Sequence, residues 1–236
     1  MISRHEFLEF RSSTLLVEAL ATRIGDLLQA GVGRSGDGRA SLLVSGGNTP
    51  IPLFSRLAGM ELPWPQVTIS LVDERWVEPT SPDSNEHLVR THLLQKNAAS
   101  ARFIPMKTGA ATAAQGEKNC TAALRTIPSP FDCLILGMGN DGHTASLFPG
   151  ADNLEAAVEL HSEKICMAIQ SVTAPHQRMT LTLPAILRSR QLFLHLQGVE
   201  KKKVLARAME AGDPREMPIR YLLQQESTPL AIYWSP

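Results

Sequence analysis

The chain has 236 residues, enough to bury a full hydrophobic core as one large domain or two small ones. Lys and Arg together number 23, as do Asp and Glu; the resulting zero net charge removes the basic footprint of sequence-independent nucleic-acid binding but leaves room for a local anion pocket. With 43% apolar and 19% charged residues the composition is globular rather than disordered, and no run approaches the ~18 apolar residues of a membrane span.

The opening stretch, MISRHEFLEF, holds Arg4, His5 and Glu6 and no apolar leader segment, so no secretory signal is expected. Behind Ser12–Ser13, the residues Leu15, Leu16, Ala19, Leu20, Ile24, Leu27 and Leu28 recur at helical spacing and predict a helix that stops in the Gly-rich stretch Gly31 to Gly38. Ala40–Ser45 reads as a buried strand running into Gly46-Gly47-Asn48-Thr49-Pro50, with Thr49 as a helix N-cap and Pro50 as the first helical residue. A helix through Leu53 and Leu57 follows. Val67–Val72 reads as a strand ending in Asp73-Glu74-Arg75-Trp76, and a polar loop through Asp83-Ser84-Asn85 leads to a helix with Leu88, Leu93 and Leu94. A short strand is expected at Phe103–Met106 and a helix at Ala110–Ile127, closed by Pro128–Pro130. Phe131–Met138 is the clearest buried strand and runs into Gly139-Asn140-Asp141-Gly142-His143. Strand Lys164–Ile169, the segment Arg178–Leu187, strand Leu192–Leu196, a helix from Val199 with Leu205 and Met209, a helix near Ile219–Leu223 and strand Pro229–Trp234 complete the chain.

Strands apolar on both faces and separated by helices predict the α/β class: a mostly parallel, Rossmann-like sheet with helices on both faces. No repeat and no long linker divides it, so residues 1–236 are expected to form a single domain. Open α/β sheets bind ligands at the C-terminal ends of their strands. The three most unusual loops, after Ser45, Val72 and Met138, all leave strand ends.

In the first loop, Gly46 and Gly47 permit close backbone approach, the following helix start supplies N–H donors, and Ser45 and Thr49 add hydroxyls. That suits a phosphate cradle, and equally a tight strand-to-helix turn; neither a Walker A loop nor GxGxxG is present. The third loop speaks more strongly for chemistry. Gly137, Gly139 and Gly142 free the backbone for φ > 0 or for aiming N–H groups at a substrate oxygen. His143 suits proton abstraction from water, and Asp141, two residues earlier, suits orienting its ring. In the second loop, Arg75 beside Asp73 and Glu74 is either a fork for phosphate or carboxylate or half of an internal ion pair. Arg178 is a candidate anion ligand or a surface arginine. Lys201-Lys202-Lys203 sits at a helix start, against the dipole, so one lysine has a reason to be there and at least two are expected to be solvated.

The other histidines, His5, His87, His92, His161, His176 and His195, stand singly without HExxH spacing, and no metal site is expected. Cys120, Cys133 and Cys166 form no CxxC, and such a sparse, odd set fits a reducing compartment. A serine-nucleophile elbow, GxSxG, is absent.

SGGNTP, VDERWVEPTSPDSNEHLVR, LILGMGNDGHTASLFPG, RMTLTLPAIL and GVEKKKVLARAM occur in that order, and together they resemble the 6-phosphogluconolactonase family within the sugar-phosphate isomerase/lactonase superfamily. The resemblance covers about Ser41 to Leu205 and, more loosely, the ends. It implies hydrolysis of 6-phospho-D-glucono-1,5-lactone in the oxidative branch of the pentose phosphate pathway, with no metal or organic cofactor. It makes His143 the base and Asp141 its tuning partner. Ser45, Gly46, Gly47, Thr49, Arg75, Arg178 and Lys201 then line the sugar-phosphate pocket, Lys201 being the lysine of the family's G-x-x-K from Gly198. Asp73, Gly137, Gly139 and Gly142 are counted with them as substrate-contacting. The expected partner is a small sugar-phosphate lactone, with no nucleic acid and no membrane, for a cytoplasmic monomer or weak homo-oligomer. A related family, the glucosamine-6-phosphate deaminase/isomerases, shares the SGG and GDGH-like motifs. Its acid past the histidine is missing here, where Thr144-Ala145-Ser146-Leu147-Phe148-Pro149 stands. A non-catalytic sugar-phosphate-binding protein is a further alternative, under which His143 and Asp141 are hard to explain.

Overall fold

The computed structural model describes residues 5–170 and 174–236; the first four residues, Arg4 among them, belong to the stretch read as lacking a leader and lie outside it. In chain order the elements are β1 (Glu6–Glu9), α1 (Ser13–Arg34), β2 (Ala40–Val44), α2 (Ile51–Ala58), β3 (Val67–Leu71) and β4 (Asp73–Arg75). Next come α3 (Asn85–His92), β5 (Arg102–Phe103), α4 (Ala113–Leu124), β6 (Cys133–Leu136), α5 (Leu154–Val158) and β7 (Cys166–Ile169). The chain ends with β8 (Arg178–Leu181), α6 (Leu183–Leu187), β9 (Leu192–Gln197), α7 (Val199–Met209), α8 (Ile219–Gln224) and β10 (Leu230–Ser235).

Seven strands form one sheet in the order β1-β10-β9-β6-β2-β3-β5, and each neighbouring pair is parallel. Its central strands, such as Leu42–Val44 and Leu134–Leu136, are buried throughout, as a parallel sheet covered on both faces requires. From β2 the chain moves through α2 to β3 on one side, whereas β6, β9 and β10 build outward on the other. Right-handed crossovers in opposite directions put α2 and α7 on opposite faces. The direction of winding therefore changes between β2 and β6, and the crevice above their C-terminal ends is where such a sheet binds ligands. Among the described residues, no helix is long and apolar enough to cross a membrane.

The sequence expectations are met in element type and depart in detail. The helix after Ser12 runs to Arg34 and so ends inside the Gly31 to Gly38 stretch, as expected, with Gly31 within it. Gly31 serves packing there: a Cβ would lie 2.8 Å from the Asp132 carboxylate. The strand expected at Phe103–Met106 shrinks to two residues, and β1 and α5 had no clear periodic pattern to announce them. The larger departure is a second, antiparallel sheet, β4-β8-β7, which takes the Lys164–Ile169 and Arg178 segments out of the main sheet. It is joined to the end of β3 by the Leu181 N–H donating to Val72 O at 2.8 Å.

At the opposite end of the strands from the crevice, buried Asp132 accepts from the Ser41 N–H at 2.9 Å and from the Ser41 hydroxyl at 3.3 Å. Asp132→Ala leaves that buried N–H without its acceptor and is expected to lower stability by about 1–3 kcal/mol. Urea unfolding measures the loss; substrate affinity should be unchanged, because the lesion is at the far end of β2.

Candidate active site

Ser45 joins the two loops that flank the crevice. Its N–H and its hydroxyl both donate to Ile135 O, at 3.0 and 3.1 Å, and the hydroxyl accepts from the Gly137 N–H at 3.3 Å. The hydroxyl expected to serve as a phosphate donor thus takes part in a loop-to-loop clasp. Gly46 has no room for a side chain, since a Cβ would collide with the buried Asn85 carboxamide, and Gly47 takes φ +91°. Thr49 is not the N-cap; α2 starts at Ile51 behind Pro50, with no side-chain cap, which leaves Thr49 on the cavity wall. Asn48 is exposed and stands outside the cavity.

The loop after β6 is a tight coil. The Gly139 N–H donates to His143 O at 2.8 Å and the Gly142 N–H to Gly139 O at 3.2 Å. With Gly137 bonded to Ser45, the three glycine N–H groups, expected to sit at φ > 0 or to aim at a substrate oxygen, are hydrogen-bonded within the protein. Only Gly142 among them takes a positive φ, +81°, and it faces Met217 rather than the cavity. Gly139 is bare because the His143 ring lies directly over it. Asp141 Oδ1 accepts from the His143 N–H at 3.1 Å and meets ring Nδ1 at 2.6 Å. Partial burial disfavours the Asp141 charge, yet the hydrogen bond and the charge of His143 hold its pKa below the usual carboxylate value. An ionised acceptor requires a proton on Nδ1, so the lone pair of the neutral ring is on Nε2. Phe148 packs against the ring, with centroids 4.5 Å apart.

Elements on both sides pin this loop. Lys201 Nζ donates to Met138 O at 2.7 Å, and the Ile219 N–H at the start of α8 donates to Gly142 O at 2.8 Å. Thr144 Oγ1 donates back to Gly137 O at 2.9 Å. Beyond it Ala145 holds φ +49°, a left-handed conformation that disfavours a Cβ, and Ser146 Oγ donates to the buried Asp73 carboxylate at 2.5 Å.

The antiparallel sheet places Arg75 of β4 directly opposite Arg178 of β8. Like charges so placed repel. Both Nε atoms are enclosed without hydrogen-bond partners. Burial and the neighbouring Arg75 lower the Arg178 pKa, against the pull of Asp73. Two adjacent guanidiniums of this kind have the charge and donor geometry suited to an anion. Glu74 does not join it. Its side chain turns inward and caps α3, accepting from the Asn85 and Glu86 N–H groups, each at 2.7 Å, and from Ser84 Oγ at 3.1 Å. Burial pushes its pKa up to about 7 although these donors pull it down.

One cavity of about 340 Å³ gathers these parts, a volume suited to a small ligand. Of the residues expected to act, Ser45, Gly46, Gly47, Thr49, Asp73, Arg75, Gly137, Gly139, His143, Arg178 and Lys201 line it. Asp141 stands behind His143, and Gly142 is outside the lining. Burial lowers the Lys201 pKa while Asp141 raises it. Lys202 and Lys203 are solvated as expected, in exposed ion pairs with Glu9 and Glu200. The sequence reading missed Asn85, Phe148 and His195, which also line the cavity. His195, in the apolar run LFLHLQ, is 5% exposed, and burial depresses its pKa to about 4. Among the described residues no group of three or more His, Cys, Asp or Glu side chains is placed to hold a metal ion.

Comparison with known proteins places the chain among sugar-phosphate enzymes. The family model described as glucosamine-6-phosphate isomerases/6-phosphogluconolactonase matches residues 11–234. A 6-phosphogluconolactonase of Rhizobium meliloti (strain 1021) is 41% identical over 96% of this chain and 97% of its own length. One from Pseudomonas putida is 39% identical over 97% of this chain and 92% of its own. A crystal structure of a 6-phosphogluconolactonase from Shewanella baltica OS155 superposes with a TM-score of 0.96 at 44% identity, covering 100% of both chains.

Burial of the neutral His195 ring sets an acid limit on stability. The unfolded chain takes up this proton near 6.5 and the folded chain only near 4, so the unfolded state binds more protons between them. Stability that is fully present above about 6.5 is therefore lost as pH falls toward about 4, by about 3 kcal/mol for this shift. Glu74, whose pKa burial raises, contributes a slope of opposite sign in both proteins, so the His195 slope is read as the difference in urea-unfolding free energy between wild type and His195→Leu across that range.

Proposed function

The chain belongs to the family of glucosamine-6-phosphate isomerases and 6-phosphogluconolactonases, and from that premise we propose that His143 activates a water molecule at the lactone carbonyl with Asp141 holding its ring. The reaction is hydrolysis of 6-phospho-D-glucono-1,5-lactone to 6-phospho-D-gluconate, a carboxylic ester hydrolysis in the oxidative branch of the pentose phosphate pathway. The observation that carries the mechanism is the 2.6 Å contact of Asp141 with Nδ1, which leaves Nε2 of a cavity-lining imidazole as the base. Nε2 removes a proton from water as the oxygen adds to C1. The C1–O5 ring bond then breaks, and the imidazolium returns its proton to the leaving O5. A lactone is an activated ester, so no covalent nucleophile is needed, and a positioned base supplies about 10²–10⁴-fold.

Arg75, Arg178 and Lys201 supply the positive wall for the substrate phosphate, with the Ser45–Thr49 turn and the start of α2 closing round it. Holding the phosphate orients the ring over His143. Phe148 stands against the imidazole, in the stretch Thr144–Pro149 that holds no carboxylate of the kind a deaminase would use for ring opening. We assign residues 1–236 to a single catalytic domain acting in the cytoplasm as a monomer or weak homo-oligomer without a nucleic-acid partner. The balanced charge and three buried, unpaired cysteines support that placement.

Two variants test this reading on freshly generated lactone, by initial rates corrected for spontaneous hydrolysis. His143→Ala should lower kcat by about 10²-fold or more with little change in KM; survival of kcat within a few-fold would remove His143 as the base. Arg178→Ala should raise KM for the phosphorylated lactone at least about tenfold and leave unphosphorylated gluconolactone within about twofold. An equal effect on both would place the phosphate elsewhere.

A further inference from the structure

We propose that His195 is a substrate-binding residue whose ring Nε2–H, at the wall of the cavity, donates a hydrogen bond to a hydroxyl of the sugar ring. The inference rests on the lactonase reading and extends it to a side chain that the mechanism does not use. His195 lies on β9, pairs in register with Tyr233 of β10, and is almost fully buried, yet it lines the cavity. An ionisable ring inside an otherwise apolar strand needs a reason. The stacked and edge-on contacts of the Tyr233 ring are with Phe10 and Phe193, an apolar setting that supplies His195 with no such reason.

The ring nitrogens differ. Nδ1 is enclosed and has no hydrogen-bond partner. A buried N–H without an acceptor is disfavoured more strongly than an idle lone pair. The proton of the neutral ring therefore belongs on Nε2, the nitrogen left to meet the cavity. Three cations, Arg75, Arg178 and Lys201, already serve the anionic end of a ligand on that wall. An uncharged donor beside them matches an uncharged acceptor, and the polyhydroxylated ring of a sugar lactone supplies one.

Two measurements test the assignment. His195→Leu should raise KM for the phospholactone about 3- to 10-fold, the worth of one uncharged hydrogen bond, at nearly constant kcat. His195→Gln, which keeps a donor near the Nε2 position, should restore KM to within about twofold of wild type. Nitrogen-detected NMR of the wild type, selectively labelled at histidine, should show Nε2 of His195 protonated and its signal shifting when 6-phosphogluconate is added but not when inorganic phosphate is added. An unchanged KM in His195→Leu, a proton on Nδ1, or a response to inorganic phosphate alone would each overturn the assignment, and the NMR result stands even if a variant fails to fold. Absence of lactone hydrolysis by the wild type would instead overturn the lactonase reading itself.

Discussion

The hydrogen bond between the Asp141 carboxylate and Nδ1 of His143 is the constraint around which the rest of the site is built. It fixes the tautomer, and with it the nitrogen that keeps a free lone pair. A loop residue would not hold such a geometry unaided. Gly139 clears the space under the ring, Ile219 of α8 fastens Gly142, and Lys201 of α7 fastens Met138. Residues far apart in sequence thus converge on seven consecutive positions. Arg220 supports this from behind: buried, it donates to Ala208 O, Arg207 O and Asp213 O and so holds the turn that brings α8 to the loop.

The antiparallel sheet answers a different demand. The parallel sheet delivers loops to one end of the crevice, and the second sheet sets two arginines side by side there. Pairing β4 with β8 carries an electrostatic cost, which the neighbouring Asp73, Glu74 and Asp83 partly offset. Asp73 and the α3 cap built on Glu74 stiffen the same strand, and Asn85 connects them by donating to Asp73 O at 2.8 Å while packing on Gly46. The Ser45–Thr49 turn, the arginine pair and the Gly137–His143 loop are therefore tied together by hydrogen bonds rather than standing as three independent loops.

Much of this was legible in the sequence because each main-sheet strand is a short apolar run between helical patterns, and because the three loops break those runs with glycine, charge and histidine. The motif resemblance pointed to the same residues. The second sheet was not legible. Its strands are three or four residues long, and Asp73–Arg75 has no alternation that separates a strand from a turn. Hydrogen-bond commitments were hidden for another reason: that Ser45 would spend its hydroxyl on Ile135 O, or that Glu74 would turn inward, depends on partners 90 and 11 residues away. His195 gave no pattern at all, since a lone histidine in an apolar strand acquires meaning only once the cavity beside it is known.

The most direct test of the account is a crystal structure of the protein with 6-phosphogluconate bound. The account predicts the C1 carboxylate within hydrogen-bond reach of His143 Nε2, the Asp141 contact intact, and the phosphate against Arg178 and the Ser45–Thr49 turn. A product bound the other way round, with its phosphate at His143 and its C1 carboxylate distant from the imidazole, would contradict it.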